Sequence, residues 1–288
     1  MPRFKHILFP VDFSKRCQAA KPFVASMVQR FNARLTLLHV INMPAGWYGG
    51  IDSPYPVMFD IPAMLKEGRK KLQEFFDAAP GTDITYSVEH GDPATLITSV
   101  SHTNDVDLIV MPTHGYGKFR ILLLGSVAAK VLHDTRCAVW TAAHTEDPLQ
   151  ATHIDCRSMI CAVDLDQEYV ALIRYAEDLA KEYDAELRLV HAVTATEASS
   201  DVENDNETRT NLLESASQQI QALQAKAGTN LEIFVDGGPV STVIETAALR
   251  YSADLVVIGR GKLHEKFGRL RTHEYSVIRD SPCPVLSV

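Results

Sequence analysis

The apolar residues of this 288-residue chain fall into short continuous runs separated by segments with helical spacing. "HILFPVD" (His6–Asp12) is apolar almost throughout, as a strand buried on both faces requires. Beyond it, Ala20, Phe23, Val24, Met27, Val28 and Phe31 recur at the spacing of one helix face, with Ser14 placed to cap that helix and Pro22 inside it. "RLTLLHVI" reads as the second strand, residues 60–79 as a helix and "ITYSVEH" as the third strand. A helix "PATLITSVSH", a strand "VDLIVM", a helix "SVAAKVLHD" and a strand "CAVWTA" complete the first half. Five strands joined by four helices predict a parallel sheet with right-handed crossovers.

The pattern then repeats in the same order. "LFPVDFS" matches "ICAVDLD", "ARLTLLHVI" matches "AELRLVHAV", and "HGDPATLI" matches "DGGPVSTV". "VDLIVMPTHG" matches "ADLVVIGRG", and "RCAVWTA" matches "PCPVLSV". The period is about 150 residues, so each copy is a whole domain and not a solenoid unit. The polar run "HTEDPLQATHID" marks the boundary: domain 1 over 1–143, a linker over 144–156 and domain 2 over 157–288. In the second copy Tyr169, Leu172, Ile173, Ala176, Leu179 and Ala180 form the first helix face. The acidic, serine-rich "ATEASSDVENDNETRTN" reads as a mobile loop before a helix through "LLESASQQIQALQ".

Candidate chemistry concentrates in "HGYGKFRILLLGS" (His114–Ser126), a strand-to-helix connection with three glycines and two cations. Bare backbone before a helix lets N–H groups approach an anion, and the helix dipole favours it. A glycine-rich long loop is the plainer reading of the same residues.

Composition narrows the partners. A net charge of −8 argues against nucleic acid and against an anionic membrane surface. The five cysteines are scattered, with no CxxC pair to suggest a zinc site or a disulfide framework. The eleven histidines show no metal-ligand spacing. The N-terminal apolar run is too short for a signal peptide, and no stretch approaches a membrane span, so the expectation is a soluble cytoplasmic protein.

Taken together, these motifs resemble the universal stress protein family, twice over. Nucleotide-binding members of that family carry G-x2-G-x9-G-[S/T] after the fourth strand. Here Pro112, Gly115, Gly125 and Ser126 hold those positions, with proline in place of the first glycine. The resemblance implies two tandem Rossmann-like domains, each an open five-stranded parallel sheet of order 3-2-1-4-5 with helices on both faces. Ligands of such sheets sit where strand order reverses, between the first and fourth strands. Asp12 ends the first strand and Gly115 follows the fourth, so two segments converge there.

The resemblance implies that an adenine nucleotide, ATP with or without Mg²⁺, binds mainly in the first half. Asp12 would contact the nucleoside, and Val40 would line the adenine pocket. Gly115, Gly125, Ser126 and Val127 would hold phosphate, and Lys118 and Arg120 would screen its charge. Each has a plainer reading: Asp12 as a strand-end acceptor for nearby N–H groups, Val40 as core, the two cations as solvated loop residues. Pro112 lacks an N–H and cannot take positive φ; it either crowds the ligand or is harmless. In the second half Asp164, Gly259 and Gly261 are retained, one residue is missing, and Arg271-Thr272 replaces the Gly-Ser pair. That half is expected to be a degenerate site. His39 and His191 hold equivalent strand positions and read as satisfied structural histidines. "NMPAGWYGGIDSPYPVMF" (Asn42–Phe59) reads as a lid or as an ordinary packed loop.

No P-loop, nucleophile elbow or kinase motif set is present in the sequence, which leaves slow ATP hydrolysis as the most enzymatic reading. The expected role is a nucleotide-binding stress or regulatory module. The alternative is an interaction protein of the same fold that binds no nucleotide. The apolar edge strands "CAVWTA" and "CPVLSV" need cover. They are expected to pack on each other as an intramolecular pseudo-dimer, with Cys137 and Cys283 as buried thiols, and pairing of whole chains remains open.

Overall fold

The computed structural model describes residues 4–42, 60–77, 79–113, 124–142, 155–194, 206–260 and 269–288. The chain divides into two compact units, and the change-over falls inside the fifth strand, between Val139 and Trp140.

The first half runs β1 (His6–Pro10), α1 (Lys15–Phe31), β2 (Arg34–Ile41), α2 (Ile61–Phe75), β3 (Ile84–His90), α3 (Pro93–Thr103), β4 (Leu108–Met111), α4 (Ser126–Asp134) and β5 (Ala138–Thr141). Its strand order is β3-β2-β1-β4-β5, and β1 pairs in parallel with β2 and β4, as β2 does with β3. The second half repeats the plan: β6 (Ser158–Ala162), α5 (Tyr169–Tyr183), β7 (Glu186–Val193), α6 (Asn206–Ala227), β8 (Glu232–Gly237), α7 (Val240–Arg250), β9 (Leu255–Ile258), α8 (Arg269–Asp280) and β10 (Val285–Ser287). Its order is β8-β7-β6-β9-β10. Both halves therefore have the order 3-2-1-4-5 expected from the sequence.

Local chemistry explains the elements. Ser14 caps α1 by accepting the Cys17 N–H at 3.2 Å, and Asn32 ends it in the left-handed region. The helix continues through Pro22 and buries Cys17, Ala20, Phe23, Val24, Met27 and Val28. Val24 and Met27, fully buried, contribute about 2 kcal/mol each. Gly68 lets α2 lie close on the sheet, because a Cβ there would meet Val88 Cγ1 at 3.0 Å. Among the cysteines Cys283 is buried, its thiol pushed up to about 12 mainly by burial, whereas Cys137 is only half-buried, against expectation.

An aspartate before the fourth strand ties each sheet together. Asp107 accepts the N–H groups of Lys5 and His6 at 2.8 and 2.9 Å. Asp254 accepts those of Arg157 and Ser158 at 2.8 and 3.0 Å. The pairing "VDL" with "ADL" reflects this clasp.

Three expectations shift. Asp12 does not end β1, which stops at Pro10; it lies in the loop beyond. The helix after the acidic segment starts at Asn206, so "NETRTN" is helical. The match of Gly91 with Gly237 is off by one. Gly91 and Gly238 are the equivalent pair, with φ of +144° and +149°, and each donates its N–H to the last residue of the neighbouring strand, Ile41 or Val193. Glycine is required there by conformation, and sequence alignment alone slid to the neighbouring glycine.

Candidate functional site

The candidate site of the first half is built at the β1–α1 and β4–α4 loops. Val11 N–H donates to the Leu38 carbonyl at 2.8 Å, and His39 Nδ1 donates to the Val11 carbonyl at 2.7 Å. Asp12 Oδ1 accepts the Ser14 N–H at 2.9 Å, so its plainer role as a local acceptor is realised. Between them Phe13 takes φ +62°, an uncommon conformation for a bulky residue. Its ring lies 4.6 Å from His39 and meets Phe75 edge-on at 5.5 Å. Nothing in the sequence pointed to Phe13. Cys17 is an unreactive thiol: burial first, and the Asp12 charge second, push its pKa far up.

Strand register sets the positions of the other candidates. β1 pairs Leu8 with Ile109 and Pro10 with Leu38. Carried two or three residues beyond the strand ends, this register sets Asp12 level with Val40 and Val11 level with Pro112. Val40 is half-buried; Pro112 and Thr113 are buried. The Thr113 carbonyl accepts the Gly125 N–H at 2.9 Å, tying the end of β4 to the start of α4. Gly125 is the N-cap of α4 with φ −60° and ψ 141°, a conformation open to any residue. Its backbone conformation therefore does not require glycine. It makes no side-chain cap bond, so the first-turn N–H groups of α4 receive none from the N-cap residue. Ser126 is exposed and Val127 half-buried in that turn. Gly115, Lys118, Arg120 and residues 43–59 of the suggested lid lie outside the described residues.

The second half shows the equivalent crevice whole enough to outline. A cleft of about 300 Å³ opens at the C-terminal ends of β6, β7 and β9, and its walls include Asp164, Ala192, Gly259, His273 and Glu274. By their places in the repeat these correspond to Asp12, Val40, Pro112, Val127 and Ala128. His191 repeats the His39 contact, its Nδ1 donating to the Val163 carbonyl at 2.9 Å.

The two halves differ at the helix that follows the fourth strand. α8 begins at Arg269, whereas α4 begins at Ser126, the equivalent of Thr272. The second-half helix therefore starts about one turn earlier. Gly125 precedes α4 and Ser126 opens it, whereas Arg271 and Thr272 both lie inside α8. Gly259 is held by packing: a Cβ would meet Leu172 Cδ2 at 3.2 Å and Tyr169 Cε1 at 3.8 Å. The corresponding α1 residues are Ala20 and Cys17, both smaller, where the first half houses Pro112.

Fold and crevice define a tandem of doubly wound α/β domains, the second with a cleft at its strand-order reversal. The family model of the universal stress protein family matches residues 3–142 and again 156–288, and the chain belongs to that family. Universal stress protein A homolog 1 of Coxiella burnetii is 30% identical over 141 residues, 48% of this chain and 96% of that protein. PA1789 from Pseudomonas aeruginosa PAO1 superposes with a TM-score of 0.66 at 18% identity, over 100% of this chain and 93% of that one. A universal stress protein from Archaeoglobus fulgidus does so with a TM-score of 0.63 at 20% identity, over 99% and 96%. These two structures share the fold across both halves. Among the described residues no helix is long and apolar enough to cross a membrane, and no cluster of three His, Cys, Asp or Glu could hold a metal ion.

Proposed function

We propose that the first half binds an adenine nucleotide, ATP or a close relative, and that the chain serves a stress-response or regulatory role through binding, not turnover. The observation that carries this reading is the second-half cleft, whose walls include the equivalents of Asp12, Val40, Pro112 and Val127. The uncapped glycine start of α4 adds donors for phosphate. Asp12 and Val40 face the nucleoside in this reading, and Gly115, Gly125, Ser126 and Val127 the phosphates. Any Mg²⁺ would be held largely by those phosphates, as is usual for this ion. In this reading the smaller Cys17 and Ala20, at the places of Tyr169 and Leu172, leave room for Pro112, so the proline does not argue for the alternative that no nucleotide binds. The proposal includes an intramolecular pairing of the two halves and leaves whole-chain dimerisation to sedimentation; protease resistance over residues 143–156 reads the former.

The test is calorimetry on the purified chain, first freed of any nucleotide by denaturation and refolding. Micromolar affinity, on the order of −8 kcal/mol, is expected for ATP, ADP or AMP. Absence of heat and of any thermal shift with all three would leave the interaction-protein reading standing in its place.

A further inference from the structure

His6 opens β1 as a buried residue, only 3% exposed. Its Nδ1 lies 2.9 Å from the Asn104 carbonyl, which can only accept, so Nδ1 carries a proton and donates it. In the neutral ring Nε2 is then a lone pair, and it accepts the hydroxyl of Thr36, itself buried, at 2.8 Å. One ring thus ties the start of β1 to β2 and to the turn before β4. Only the neutral ring serves both partners as they stand.

Protonation disturbs this arrangement in two ways. Nε2 becomes a donor, so Thr36 Oγ1 must turn its hydrogen away, and among the described residues that hydroxyl has no other partner. The charged ring would also share the Asn104 carbonyl with the Arg34 guanidinium, which donates to it at 2.8 Å, so two cations would meet one acceptor. The other charged groups about the ring, among the described residues, are Lys5 on its own strand, Asp83 before β3, and Asp105 and Asp107 before β4. All four are exposed, so water screens their effect on an imidazolium. The balance lowers the His6 pKa: burial is the largest cause and Arg34 acts with it, against the Asn104 bond, Asp107 and Asp83.

The second half replaces every member of this group. Ser158 stands for His6 and donates its hydroxyl to the carbonyl of Tyr251, the equivalent of Asn104, at 3.0 Å. By strand register Arg188 and Glu186 stand for Thr36 and Arg34. The histidines near the other strand ends, His39 and His191, occur in both halves and do not distinguish them. We infer that His6 is a proton-operated latch confined to the first half: a proton on its ring frees the turn before β4 from β1 and β2, and mild acid opens that turn while its second-half counterpart stays closed. The unfolded chain, with an ordinary histidine pKa of about 6.5, takes up the proton before the folded one. The stability is therefore whole above about pH 6.5 and is lost as pH falls toward the lower folded value. The latch lies at the strand ends opposite the proposed nucleotide site, so the inference stands without that reading.

The experiment is amide hydrogen exchange on the full chain at about pH 7.5 and about pH 5.5, corrected for the intrinsic change in rate. The reporters are the N–H groups of Val106 and Asp107, which donate to the Ser101 and His6 carbonyls. They are compared with those of Ala253 and Asp254, which donate to the Ala248 and Ser158 carbonyls. Protection at Val106 and Asp107 should fall about three- to tenfold further than at Ala253 and Asp254, since one pH unit below the ordinary histidine value allows about tenfold. His6→Gln puts an uncharged amide in place of the ring and should bring that difference below about twofold. If the variant does not fold, NMR of the His6 ring in the parent decides, and its signal should titrate below about pH 6.5. The inference is overturned if the four amides lose protection equally, if the His6 ring titrates at or above about pH 6.5, or if His6→Gln keeps the parent's difference.

Discussion

Replacing Asp12 separates its two roles. Its Oδ1 holds the Ser14 N–H at 2.9 Å and so shapes the turn that carries Phe13 and caps α1. A carboxylate accepts about four hydrogen bonds, which leaves capacity for a nucleoside hydroxyl or amino group. Asp12→Asn keeps an oxygen for Ser14 and should leave the urea midpoint unchanged. Asp12→Ala removes that oxygen and should cost about 1 kcal/mol of stability. A ligand hydrogen bond to a charged group contributes about 1.5–3 kcal/mol, so either variant should weaken ATP binding by roughly 10- to 150-fold. Coulomb's law alone predicts the opposite for Asp12→Asn, since removing a negative charge favours an anionic ligand. A loss of affinity in that variant therefore reports a direct contact. Calorimetry gives the affinity and urea unfolding the stability, compared by midpoint because a two-unit chain need not unfold in one step. ATP affinity within twofold of the parent in Asp12→Ala would refute the contact, and the carboxylate would then be purely a turn residue.

Other outcomes can be read from the same protein. Asp92 caps α3, and its hydrogen bonds from Thr95, with Lys130 adding its charge, lower its pKa to about 2. A folded pKa below the unfolded one gives stability that is present above about pH 4 and lost as pH falls toward 2, so Asp92→Asn should flatten acid unfolding in that window. The exposed position keeps the effect small. Asp107→Ala and Asp254→Ala each strip the acceptor from two backbone N–H groups and should each cost about 1–3 kcal/mol, measured by denaturant midpoint. ATP titration should saturate near one nucleotide per chain, because the glycine that precedes α4 is replaced by Arg271, inside α8; two equal sites would show that the α8 start does not exclude phosphate.

Much of this architecture was legible because the buried strands are short apolar runs and the helices carry clean stripes. β3, α4 and the cap at Ser14 follow directly from pattern and capping chemistry. Of the candidate site the sequence offered only a set of positions, because the topological rule names the strand ends where a ligand of such a sheet would lie and no contact with it. Phe13 was not, because positive φ at a bulky residue has no signature in the sequence. The Asp107 and Asp254 clasps were equally hidden: each joins groups about a hundred residues apart, and an aspartate before a strand looks like any polar turn residue. The one-residue slip at Gly238 shows the same limit, for two adjacent glycines look alike until φ distinguishes them.

The exchange of Gly259 for Pro112 between the halves is best understood as half of a pair. In the second half the glycine is pressed by Leu172 and Tyr169 from α5; in the first, the equivalent α1 residues are Ala20 and Cys17. Residue by residue, the bulk is on the helix in the second half and on the loop in the first, the exchange that close packing favours. A departure from the glycine motif at this position therefore says little about ligand binding until the facing helix is read with it. The argument can be measured as a coupling. Gly259→Ala brings a Cβ to 3.2 Å from Leu172 Cδ2 and should cost about 1–3 kcal/mol by overpacking. Leu172→Ala alone opens a cavity and should cost about 2–5 kcal/mol. In the Leu172→Ala background the added methyl group enters open space, so Gly259→Ala should cost close to nothing, a coupling of about 1 kcal/mol or more. If Gly259→Ala costs the same in both backgrounds, the glycine is held by something other than α5, and the compensation proposed for Pro112 loses its support.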